Sequence, residues 1–481
     1  MKTLFCSLSL FLFLFTSCVD DPTMMNEVDP NLAVVSSSAN SIDPQLPELR
    51  PDQLQADLPD DLAMIGTFGE NIGTPGMDVF TDAVRDSSGN IYVTGYTAGS
   101  LPGYTNQGSP DAFAAKYNAD LELVWVRQIG TASSDISVAI ALHPSENFIY
   151  VAGYTSGSLQ GTNAGGTDIF YSKIASDNSR IVNRQFGTSA NDIVSDAQFG
   201  IASSTYITWT DTLLITGHTL GAFSGYSSAG SYDVFWAKCS ETGEMMWPYS
   251  KTYTNTAYQF GTSSADYASG LYFDGSTYVF VGGETYGALE GSNAGSLDAF
   301  MRKAAYSNGA LSAINQWGTA GNDNFGVMTL SNTSSYLARA SGNNAHTITL
   351  DFISTSDLSI ISGFNYTADA LMNVGDIHRT SSNYYYISGY YSEGRVMVAY
   401  NSVPPIFTSI PEPTGITSDV YVIKATASAP MIVRGIQTPG SIDIVTKIFI
   451  DGSDYISVLT SNDDVDDQDN KGSYDGFVYG W

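Results

Sequence analysis

One phrase, Gln-x-Gly-Thr-x-x-x-Asp, is written four times along the chain, at 128–135, 185–192, 259–266 and 316–323. An imperfect copy, "NIGTPGMD", stands at 71–78. The closing aspartates fall at Asp78, Asp135, Asp192, Asp266 and Asp323, and three of the four intervals between them are 57 residues. A fixed period of this length marks supersecondary units that bury their apolar faces against one another. A catalytic carboxylate is needed once. Five equivalent aspartates therefore read as caps that accept backbone N–H bonds in a Gly-rich turn.

Within each unit the order of features is the same, and residues 135–192 give the cleanest copy. "DISVAIALH" is followed by "FIYVAGYTSGSL", a Gly/Asn loop, "DIFYSKI" and then "SRIVNRQFG". These are short alternating runs rich in Val, Ile, Tyr and Phe, bounded by turn residues. Four antiparallel strands per unit, repeated at a fixed period, predict an all-β propeller. The third strand opens alike five times and ends on Lys116, Lys173, Lys238, Lys303 and Lys424. These lysines, spread over successive blades, read as packing or pairing residues between neighbours.

The "SSGNIYVTGYT" hairpin (87–97) and the "DAFAAK…WVRQIGT" segment (111–131) resemble the bacterial seven-bladed propeller repeat family, the SBBP repeat. The resemblance implies a fold and an extracytoplasmic setting, and implies no activity. Seven blades can be counted. Five begin at Asp78, Asp135, Asp192, Asp266 and Asp323; a sixth follows from "DIHRTSSNYYYISGYY" (376–391), and a seventh begins at Asp443. The seventh stops after its third strand, so the N-terminal segment 62–78 is expected to supply the fourth and close the ring. The domain is placed at 62–481.

Residues 1–18, "MKTLFCSLSLFLFLFTSC", read as an export signal: Lys2, an apolar centre and a small-residue end at Cys18. "FTSC" resembles a lipobox of the loose spirochaete type, which implies lipidation of Cys18. An ordinary secretory signal ending in a cysteine is the alternative. Cys6 leaves with the signal, and with Cys18 lipidated Cys239 is alone, so no intramolecular disulfide is expected. Residues 19–61 carry ten acidic residues against the single Arg50 and read as a disordered acidic linker. The whole chain has 19 Lys+Arg against 49 Asp+Glu, a formal net charge of −30. That balance excludes nucleic acid as a partner and repels anionic surfaces.

The densest acidic run, 461–476, holds Asp463, Asp464, Asp466, Asp467 and Asp469. It reads either as a calcium site or as a solvated loop of the seventh blade. It does not match an EF-hand, because Lys471 stands where an oxygen ligand belongs. No other cofactor is expected. His143, His218, His346 and His378 are scattered, and no catalytic signature is present. Asp196, Asp376 and His378 are the first-strand candidates for an enzyme. Between the recurring Gly and Thr of the second strand stand Tyr96, Tyr154, His218 and Glu284, with Tyr390 after Gly389. They read as a diverging recognition face or as unconstrained exposed positions.

The expected function is a lipid-anchored, monomeric propeller on the bacterial outer membrane, exposed at the cell surface. It would bind a host or envelope protein or a glycan, with the long loops at 392–418 and 461–474 as natural contacts. The alternative is an extracellular glycan-acting hydrolase or lyase with its site at the mouth of the propeller channel.

Overall fold

The alternating runs become strands where the periodicity places them. In blade two, Asp135–Leu142, Phe148–Thr155, Asp168–Ala175 and Ile181–Phe186 pair antiparallel in chain order. The second and third of these strands are buried on both faces and the fourth only partly. That gradient is what a sheet sandwiched between two others and open at its rim must show. Blade one uses Asp78–Arg85, Ile91–Thr97, Asp111–Tyr117 and Leu123–Ile129 in the same way. Blade three (first strand Asp192–Gly200) and blade four (first strand Asp266–Phe273) repeat the order.

The computed structural model describes residues 67–480 except 109, 201–211, 240–256, 276, 331–334, 343–344, 381–383, 393–395, 400–406, 411–417, 426–429, 437–442, 452–453 and 462–473. The chain divides after Leu62, and every described residue lies in the second unit. All regular elements among the described residues are strands.

Blades five and six are joined in one seven-stranded sheet. Their shared strand, Ile360–Arg379, pairs through Ile360–Thr367 with Ala345–Ser354 of blade five. Through Leu371–Arg379 it pairs with Tyr385–Ser392 of blade six. No Gly-Thr-x-x-x-Asp phrase lies between these two blades.

Blade seven is built from both ends of the chain. Asp443–Asp451, Asp454–Ser461 and Asp475–Gly480 are completed by Thr67–Phe68, with Thr67 opposite Gly480 and Phe68 opposite Tyr479. Further bonds extend the seam: Gly69 N–H donates to the Val478 carbonyl (2.8 Å), and Ile72 and Gly476 exchange a pair at 3.0 Å. The first strands of neighbouring blades lie against one another at every junction, including that of blade seven with blade one. Seven blades in a closed ring result, as the repeat count requires.

A chain beginning at residue 75 lacks this seam. Calorimetry should find its melting temperature lower by on the order of 10 °C than that of a chain beginning at Ala63. Equal melting curves would show that the N-terminal strand does not close the ring.

Candidate functional site

The repeated polar residues are consumed by the architecture. In each turn the closing aspartate accepts from the threonine four residues earlier: Thr131 N–H to Asp135 Oδ2 (2.6 Å), Thr188 to Asp192 (2.5 Å), Thr262 to Asp266 (2.5 Å) and Thr319 to Asp323 (2.6 Å). The same threonine hydroxyls bond the same carboxylates. The glutamine of the phrase reaches the aspartate that opens its own blade's third strand: Gln128 to Asp111 (2.9 Å), Gln185 to Asp168 (3.0 Å), Gln259 to Asp233 (2.8 Å), Gln316 to Asp298 (2.9 Å). Its carbonyl oxygen accepts the N–H of Leu101, Leu159, Phe223 or Leu289 in the second-to-third-strand loop. The intervening glycine is required by close approach, since a Cβ on Gly261 would stand 2.2 Å from Asp233 Oδ1. The repeated lysines lie over aromatic rings: Lys116 over Tyr92 (5.0 Å), Lys173 over Phe148 (4.1 Å), Lys303 over Tyr278 (3.9 Å), Lys424 over Tyr384 (4.3 Å). Lys238 lies over Tyr306 of the next blade (3.4 Å) and donates to its carbonyl.

What is not repeated gathers inside the ring. Six of the seven first strands carry a register shift at the same place: Phe80/Asp82, Ser137/Ala139, Val194/Asp196, Ala268/Gly270, Val374/Asp376 and Val445/Lys447. A bulge re-aims the side chain that follows it. Here the following residues are Asp82, Asp196, Asp376 and Lys447, with Ala139 and Gly270 in the other two blades. Lys447 Nζ lies 3.6 Å from Asp82 Oδ1 and 3.4 Å from Asp376 Oδ1. Each carboxylate also accepts a backbone N–H of the next blade: Ile140 to Asp82 (2.9 Å), Leu271 to Asp196 (2.7 Å), Ile448 to Asp376 (3.2 Å). Burial pushes Asp196 up to about 6, with Asp82 adding to the rise and Lys447 opposing it. Burial alone would lower Lys447, but Asp376, Asp82 and Asp196 together hold it above the ordinary lysine range.

The first-strand candidates thus meet in part. Asp196 and Asp376 join this cluster, and His378 feels Asp376 and Lys447 but is held below the ordinary histidine range, chiefly by burial. Asp82 and Lys447 escape sequence reasoning; the signal was a charged residue at one aligned position, displaced by a bulge that no alternation pattern displays. The variable second-strand positions are not open surface. His218 is buried and stacks edge-on with Tyr232 and Tyr267, each at 5.1 Å. Glu284 accepts the Phe325 N–H of the next blade (2.8 Å). Tyr96, Tyr154 and Tyr390 are half-buried. Cys239 is buried, with its thiol pushed up by burial. Cys18 and the acidic run Asp463, Asp464, Asp466, Asp467 and Asp469 lie outside the described residues. Among the described residues no three His, Cys, Asp or Glu side chains form a metal-holding group.

The family model described as Beta-propeller repeat (SBBP) matches residues 72–102 and 124–160. These spans hold the hairpin of blade one and the turn into blade two, the parts whose bonds are given above. Over these two spans the chain matches the SBBP repeat. No curated protein matches it. Among solved structures, the Dos1 propeller aligns with 86% of this chain and 95% of its own at 10% identity and a TM-score of 0.44. Sqt1 from Chaetomium thermophilum aligns over 84% and 99% at 8% identity and a TM-score of 0.44. The periplasmic gluconolactonase PpgL of Pseudomonas aeruginosa aligns over 75% and 88% at 11% identity and a TM-score of 0.41.

Two measurements test these roles of Asp192 and Asp196. Asp192→Ala leaves the buried Thr188 donors without a partner and should cost about 2–3 kcal/mol in denaturant unfolding. Asp177→Ala, in an exposed turn, should stay within about 0.5 kcal/mol of wild type. The second concerns pH. A folded pKa of about 6 for Asp196, above the unfolded value, contributes stability that is complete at low pH and lost as pH rises through about 6. The stability of wild type relative to Asp196→Asn should therefore increase as pH falls from 7.5 to 5. A difference that is flat, or that shrinks on acidification, would refute the assignment.

Proposed function

We propose that this SBBP propeller is a lipid-anchored binding module of the bacterial outer membrane, tethered through Cys18 and the acidic segment 19–61. The observation that carries the binding reading lies in blades three and four. At the position between the second-strand Thr and the following Gly, blades one and two have Ala98 and Ser156, whereas blades three and four have Leu220 and Tyr286. Both are exposed, at 37% and 43%. Tyr286 meets Tyr267 edge-on (6.5 Å), Tyr267 meets Tyr232 (5.5 Å), and Leu220 is two residues from His218 in the same aromatic group. Apolar side chains presented singly are ordinary on a surface, but two at equivalent positions of adjacent blades, backed by fixed rings, make a recognition patch. Tyrosine suits it, offering large amphipathic contact with little entropy to lose. The partner is an envelope or host protein, or a glycan.

The glycan-acting hydrolase or lyase would have to use Asp82, Asp196 and Asp376, the carboxylates inside the ring. Their oxygens are engaged by backbone N–H groups and, for Asp82 and Asp376, by Lys447 as well, which favours the binding reading.

The test pairs Leu220→Ser with Tyr286→Ser in the full-length chain and compares it with wild type on a glycan array and against outer-membrane proteins. Binding should fall at least tenfold with an unchanged melting temperature; undiminished binding would remove the patch from the proposal. The anchor is tested separately by palmitate labelling, which should disappear in Cys18→Ala. Labelling that persists in that variant would dismiss the lipid tether.

A further inference from the structure

We infer that the level of the ring just past the first-strand bulges is an ammonium-binding site, which the chain fills with its own Lys447, and that this occupancy fixes the closing blade. Lys447 belongs to Asp443–Asp451, the first strand of the only blade assembled from both chain ends. The fourth strand of that blade is Thr67–Phe68 among the described residues. Its inner edge is clasped as well. One ammonium bridges Asp82 of blade one and Asp376 of blade six, the two neighbours of blade seven. Asp196 of blade three adds its field from across the ring.

The carboxylates are positioned without the lysine. Asp82 accepts Ala83 N–H at 2.8 Å and Ile140 N–H at 2.9 Å. Asp196 accepts Ala197 N–H and Leu271 N–H, both at 2.7 Å. Asp376 is held by Ile448 N–H at 3.2 Å. Removing the ammonium therefore leaves a preformed anionic site and not a collapsed one. Small residues, Ala139 and Gly270, stand at the same register position in blades two and four. The Lys447 side chain is 33% exposed, so water, and a small amine with it, can enter. His378, on the strand that carries Asp376, also feels Asp376 and Lys447. Asp82 and Asp376, with the field of Asp196, leave the site without its ammonium negative enough to take up a replacement cation from solution.

Chemical rescue tests this. Amide exchange is followed in full-length Lys447→Ala at 443–451, 475–480 and 67–68. Exchange there should rise at least tenfold, while blades two to four keep wild-type protection. Millimolar n-butylammonium chloride should restore protection, and sodium chloride at equal ionic strength should not. Lys447→Met keeps the apolar stem and removes the charge; it should exchange as fast as the alanine variant, and wild-type protection in it would overturn the inference. Equal relief by both salts, or relief by neither, would also overturn it. If Lys447→Ala does not fold, refolding with n-butylammonium decides: recovered near-ultraviolet ellipticity supports the site, and none refutes it.

Discussion

An aspartate carboxylate buried in the turn between blades is the contact on which the architecture depends. It takes the threonine N–H and hydroxyl from one side and, in blade four, the Thr285 hydroxyl of the second strand from the other. A turn that reverses the chain from the rim of one blade to the inner edge of the next leaves backbone donors stranded away from water. Leaving each unpaired costs about 1–3 kcal/mol, which the carboxylate avoids. Between blades five and six the phrase is missing and the two blades share one sheet. A second aspartate, opening the third strands of blades one to four, is joined to the same phrase through glutamine. Turn, loop and third strand are thereby locked in one polar web on one end of the ring. At the closure the web is made across the whole chain: Asn71 replaces the glutamine and donates to Asp475 Oδ2 at 3.2 Å. Gly73 leaves room for that carboxylate, which a Cβ would approach to 2.1 Å.

The bulges do the complementary work at the inner edge. Inserting one residue into a first strand turns the next side chain toward the interior of the ring, and the chain has used that position sparingly. Four blades place a charge there and two place alanine or glycine. Repetition and its interruption thus divide the molecule. The repeated residues build; the unrepeated ones, inside the ring and on the exposed edge of blades three and four, are free to serve a ligand or to tune the closure.

Much of this was legible in the sequence, because a 57-residue period multiplies weak local signals. The strand order, the blade count, the closing segment and the structural role of the repeated aspartates and lysines all follow from aligned copies. Asp196 and Asp376 stood out as unrepeated carboxylates on first strands. The variable second-strand positions were misleading: alternation leaves open whether a strand position meets solvent or a neighbouring blade, and His218 and Glu284 meet blades. Lys447 and Asp82 were invisible as a pair, since they are 365 residues apart and meet only because the ring closes.

By itself the sequence determined a ring of four-stranded units and where it joins, because periodicity and turn chemistry are local and each copy confirms the others. Tertiary structure alone decided which charges face each other. That depends on a one-residue bulge in each first strand and on closure between the chain ends, and neither leaves a mark on the pattern of hydrophobic and polar residues.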